Sequence, residues 1–145
     1  MLSNAKITET LTIRIKEILA ETRFSDVPII DADITEPIIR PSIKFKIENA
    51  DIGNFNSSST EKNVEVRIYF FATDRVKTTF ENDEMQDILS AGLLEGIYVE
   101  EDFYIPIDDI ECTVSDGVLI ITIDLEVIEE LNGPEVELME ELSYR

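Results

Sequence analysis

From Leu119 to Val127 an apolar side chain stands at every second residue, a pattern that suits a strand and that no α-helix can gather on one face. Leu119, Ile121, Ile123, Leu125 and Val127 share one side of that strand. Val118 and Ile120 make the opposite side apolar at its start, so a helix or a neighbouring subunit is expected to cover part of the outer face. Shorter alternations occur earlier. Ile43, Phe45 and Ile47 point one way and Lys44, Lys46 and Glu48 the other, while Val64, Val66, Ile68 and Phe70 alternate with Glu65, Arg67, Tyr69 and Phe71. This is the signature of antiparallel strands with one buried face. Phe103, Ile105 and Ile107 alternate too, as do Ile110, Cys112 and Val114, and Ser115-Asp116-Gly117 is a hairpin turn in which Gly117 supplies positive φ.

Two segments carry the other period. Ile7, Leu11, Ile15, Ile18 and Leu19 line one helical face with Arg14, Lys16, Glu17 and Glu21 turned away, and Ser3 or Asn4 is placed to cap the start. Met85, Ile88, Leu89 and Leu93 form a second stripe, for which Thr78 and Glu81 have capping-box spacing and Gly96 is a natural stop. Val27-Pro28-Ile29-Ile30 is short enough to be only an extended link or a brief edge strand. The polar stretch Ile52–Thr60 reads as a mobile connection, longer than a tight hairpin needs. The order of elements predicts an α+β domain over residues 1–130, with two helices packed on one side of a mostly antiparallel sheet. Residues 131–145 read as an acidic C-terminal tail behind the break at Asn132-Gly133-Pro134.

Charge is unevenly placed. Thr78 to Tyr144 contains twenty Asp and Glu and no Lys or Arg, so nearly all of the formal −20 falls on the second half. Such a surface repels nucleic-acid phosphates and excludes a sequence-specific DNA or RNA reader of the basic kind. Hydrophobic residues at 43% set it apart from acidic disordered chains. No apolar run is long enough for a membrane span, the N-terminus lacks the order of a signal peptide, and one cysteine fits a reducing compartment, so a soluble intracellular protein is expected.

Catalytic chemistry finds little support. Without histidine there is no Ser–His–Asp or Cys–His system and no ordinary zinc site. Cys112, in phase with Ile110 and Val114, reads as a packing thiol. Asp108, Asp109 and Glu111 lack the spacing of a calcium loop and read as a solvated acidic turn. Asp51 with Glu65 and Arg67 approaches a metal-nuclease set but has Arg where a Lys is needed, and a cross-strand ion pair explains Glu65 and Arg67. The glycines form no phosphate loop. A non-enzyme without cofactor or metal is expected.

Lys44, Lys46 and Arg67 lie on the polar faces of the first strand pair, in the nearly neutral half. They suit ion pairs within the sheet, to Asp124 and Glu126, or a basic face that meets the acidic half of an identical neighbour; such heterologous contacts close into rings when the rotation permits. With Ile52, Phe55, Val118 and Ile120 they are the candidate oligomer contacts.

Arg40-Pro41-Ser42 leading into an alternating strand, Val64-Glu65-Val66-Arg67-Ile68-Tyr69-Phe70-Phe71 followed by Asp74-Arg75, Asp116-Gly117-Val118-Leu119 and the ending Met139-Glu140-Glu141-Leu142 resemble the small tail terminator proteins of phages and phage-derived particles, over roughly Ile7 to Leu142. The resemblance implies a structural subunit, usually hexameric, that rings the head-proximal end of the tail tube, ends its growth and offers a docking surface to the head or neck. It implies contacts with itself, the tail tube protein, the sheath protein of a contractile tail and the connector protein. It also places the chain in the particle's tail, after assembly in the bacterial cytoplasm. The alternative reading is an acidic mimic of DNA that inhibits a nucleic-acid-binding protein.

Overall fold

The computed structural model describes residues 3–30, 40–74, 76–100 and 103–130, the side chains of residues 55, 100 and 130 excepted. The acidic ending at 131–145 lies outside the described residues.

Helix α1 spans Asn4–Leu19, and Ser3 caps it by accepting the Lys6 N–H on Oγ at 3.1 Å. The strands β1 (Ser42–Asn56) and β2 (Ser59–Phe71) follow, then α2 (Thr79–Leu93), a small pair β3 (Ile97–Glu100) and β4 (Phe103–Ile105), and finally β5 (Ile110–Ser115) and β6 (Val118–Glu130). The main sheet is antiparallel in the order β1-β2-β6-β5, so the fold is α+β as the alternation predicts. The Val27–Ile30 link meets the sheet edge through one parallel bridge, Ile29 opposite Ile43. Asp116 and Gly117, at φ 51° and 79°, turn β5 into β6. Both central residues of a two-residue hairpin turn of this hand need positive φ, which is why Gly stands second.

One face of the sheet is buried under the helices. Ile43, Val64, Val66, Ile68, Phe70, Leu119, Ile121, Ile123 and Leu125 pack with Ile7, Leu11 and Ile15 of α1 and Met85, Leu89 and Leu93 of α2 in one core. Each such side chain, fully removed from water, contributes roughly 1.5–3 kcal/mol of transfer free energy. α1 and α2 also touch directly. A Cβ added at Gly92 would come within 2.6 Å of Ile18 Cγ1, and the Arg14 guanidinium donates to the Gly92 carbonyl at 2.9 Å. Asn82 Nδ2 donates to the Gly117 carbonyl at 3.0 Å and ties α2 to the β5–β6 turn. Cys112 half-buries against the core beside Ser90, with Sγ 3.7 Å from the hydroxyl.

Two expectations are overturned. The stretch Ile52–Thr60 is not a loop: β1 runs to Asn56 and β2 starts at Ser59, so only Ser57 and Ser58 form the turn. The backbone ladder holds these polar residues, with Gly53 opposite Glu61 and Asn54 opposite Thr60, and a register shift between Asn54 and Asn56 absorbs the extra residue. Nor does the capping box at α2 form. Thr78 occupies the cap position without a side-chain bond, and Glu81 instead accepts the Thr73 N–H at 2.9 Å and its hydroxyl at 2.8 Å.

Candidate assembly surface

The other face of the sheet carries no helix among the described residues, because both helices pack into the core on the buried face. Its side chains follow from register. Lys44 lies opposite Tyr69, Tyr69 opposite Ile120, and Ile120 opposite Thr113; one rung along, Lys46 lies opposite Arg67 and Arg67 opposite Thr122. Further along come Glu65 opposite Asp124 and Asn63 opposite Glu126. Strand rise of about 3.3 Å per residue places the Ile120 and Glu126 rungs about 20 Å apart.

The face therefore grades from one character to another. At the Ile120 end, Val118, Ile120, Tyr69 and Phe71 floor an open groove of about 400 Å³, with Lys44, Lys46, Glu48, Ser115 and Asp116 around it. The Lys44 ammonium stands 5.4 Å from the Phe71 ring centre and the Arg40 guanidinium 5.7 Å from it, within cation–π range. The Tyr69 hydroxyl donates to Glu48 Oε2 at 3.4 Å. Arg67 Nε donates to Glu65 Oε2 at 3.1 Å, and its guanidinium is held above its ordinary pKa, chiefly by Tyr69 and then by the charge of Glu65. At the other end carboxylates crowd. Glu126 is pushed above the usual Glu pKa by a hydrogen bond with Glu61, by desolvation and by the negative charges of Glu61 and Asp108. Asp109, Glu111 and Asp124 surround a smaller hollow there.

Of the seven candidate contacts, Lys44, Lys46, Val118 and Ile120 come together in the groove, and Arg67 lies one rung away on the same face. Ile52 sits apart, toward the hairpin tip opposite Lys62, and is 59% exposed where the sheet outruns the helices. The side chain of Phe55 lies outside the described residues. Ion pairs from Lys44, Lys46 and Arg67 to Asp124 and Glu126 are not formed; Arg67 bonds its own-strand neighbour Glu65, because Thr122 and not an acid stands opposite it. Tyr69 and Phe71 were not among the candidates, although their place in the alternation, out of phase with Val66, Ile68 and Phe70, marks them as outer-face aromatics. Asp51 is paired with Asn63, one rung along from Glu65 on the same face, and Arg67 donates to Glu65 as in a simple ion pair.

Among the described residues no helix is long and apolar enough to cross a membrane. No curated protein matches the chain. The sequence model of a family described as phage tail terminator protein matches residues 6–137, which takes in every element of the fold bar the first two residues of α1. A helix-backed sheet whose outer face carries no helix among the described residues and is both apolar and charged suits a part that works by contact, and the chain belongs to the phage tail terminator protein family, structural components of the phage tail.

Proposed function

We propose that copies of this chain form a ring, a hexamer, on the head-proximal end of the tail tube, where the ring ends tube growth and gives the head or neck its docking surface. The observation that carries this reading is the outer face, without a helix among the described residues, with its apolar floor and charged rim. A patch of that kind gains free energy by being covered. Lys44, Lys46 and Arg67 on this face and the acidic second half of the same molecule are unlike, which favours head-to-tail contacts over a two-fold dimer. Such contacts close into a ring when the rotation between neighbours divides a full turn. A closed ring satisfies its lateral contacts, and tube growth ends there if its head-facing surface lacks the contacts that the next tube subunit needs. In a contractile tail the same ring would touch the last sheath subunits. The role is one of binding and geometry, without a catalytic step.

Mass measurement across salt concentration tests this. A subunit of formal charge −20 is repelled by its neighbours at low ionic strength, and that repulsion is screened over about 8 Å at physiological salt. Ring-sized species should therefore increase as salt rises from about 10 mM to about 150 mM, where the screening length falls from about 30 Å to about 8 Å. A strict monomer at every salt and protein concentration, with no attachment to isolated tail tubes, would overturn the reading.

A further inference from the structure

We propose that the outer-face groove receives the acidic C-terminal segment Glu135–Leu142 of a second copy of this chain. The groove offers an apolar floor of Tyr69, Phe71, Val118 and Ile120 with Lys44 and Lys46 on its wall; Glu48, which accepts from the Tyr69 hydroxyl, and Asp116 line it too, so the ammonium groups are the part that a carboxylate can meet. Lys46 is exposed, and among the described residues it has no carboxylate within 4 Å. The segment offers the complement: Val136, Leu138, Met139 and Leu142 interspersed with Glu135, Glu137, Glu140 and Glu141. Aliphatic side chains on an apolar floor, with carboxylates meeting ammonium groups at its edge, satisfy both chemistries at once.

Reach bears on whose segment it is. The groove lies at the start of β6 and the segment follows its end, since β6 runs from Val118 to Glu130. Ile120 is about 33 Å back along the strand from Glu130. Val136 and Leu138, six and eight residues beyond Glu130, extend at most about 22 and 29 Å. They fall short of Ile120 in their own chain, where only Leu142, at most about 43 Å from Glu130, spans the distance, so seating Val136 and Leu138 on the floor needs a second copy. A second copy is under no such limit. The proposal goes beyond the ring reading, needing only that two copies meet; it makes each copy both donor of a segment and host of one.

The test uses full-length chains in a Cys112→Ala background, one carrying Leu138→Cys and the other Val118→Cys, mixed and treated with a short bis-maleimide. A heterodimeric adduct is expected between them. It should fall about tenfold when the host also carries Lys44→Glu and Lys46→Glu, and recover when the donor carries Glu140→Lys and Glu141→Lys. Tyr69→Cys serves as a second host, and thermal melts like the parent's show each variant folded. Adduct no more abundant than with a remote host, Asn63→Cys, overturns the proposal. So does adduct formed only within one chain carrying both cysteines at high dilution. A ring seen by mass without the adduct would sink this inference and leave the ring standing; the adduct with only open chains by mass would do the reverse.

Discussion

Ile120 and Ile121 are neighbours in β6 with the same side chain and the same strand propensity, and they face opposite ways. Ile121 is 0% exposed, between Ile68 of β2 and Cys112 of β5, in the core. Ile121→Ala therefore removes apolar contact and leaves a cavity, at a cost of about 3–4 kcal/mol. Ile120 is half-buried over an open groove. Ile120→Ala removes three carbons worth about 2.4 kcal/mol if wholly buried, so about 1 kcal/mol here, and it leaves no closed void. For a domain of this size, with about 3 °C of melting temperature per kcal/mol, the two should differ by some 6–9 °C. Thermal or urea unfolding of the monomer at low salt measures this. Assembly should show the opposite order: once the groove is occupied, Ile120→Ala loses contacts worth about another 1.4 kcal/mol, a tenfold weaker association. Equal melting penalties for the two would mean that the outer face is already covered within one molecule, and the assembly surface argued above would be wrong.

Gly92→Ala sets helix propensity against packing: about 1 kcal/mol is gained from the helix, but the new methyl meets Ile18 within 2.6 Å, and overpacking of about 1–3 kcal/mol should win. Urea unfolding should show a net loss that Ile18→Ala partly relieves in the double variant; a more stable single variant would refute the close approach. The Arg23–Glu84 pair, with Nη2 at 2.6 Å from Oε1, holds Glu84 below its usual pKa, so its contribution is present above the ordinary Glu range and is lost as pH falls through the depressed value. Glu84→Gln should be less stable than the parent at neutral pH, by a small margin for so exposed a pair, and the gap should close in acid; a gap that widens as pH falls would contradict the sign. Glu126 works the other way. Its raised pKa means that the folded state holds the proton more tightly, so its contribution is complete below the unfolded pKa and is lost as pH rises through the folded value, and Glu61→Gln should weaken that dependence in a pH series of melts.

The strands were legible because one buried face imposes a period of two, and the four main alternations fall in β1, β2, β5 and β6. The hairpin extension was not legible, because Asp51–Asn56 owes its strand structure to the β2 backbone rather than to burial, and such residues carry polar, turn-like identities. The capping box failed for a related reason: Glu81 was claimed by Thr73, a contact that local spacing cannot foresee. The groove was half visible. Each strand's outer phase could be read, so Lys44, Lys46, Val118 and Ile120 stood out. That β6 lies beside β2, bringing Ile120 to Tyr69, depends on the strand order, and no single strand encodes it.

Tail-tube length tests the central claim most directly. Particles assembled without this protein should carry tubes of scattered, excessive length when imaged by electron microscopy, and the intact chain should restore a single length with a ring of density at the head-proximal end. Replacing Ile120 by Asp should leave the fold and abolish that restoration. Tubes of normal, uniform length in the protein's absence would contradict the account.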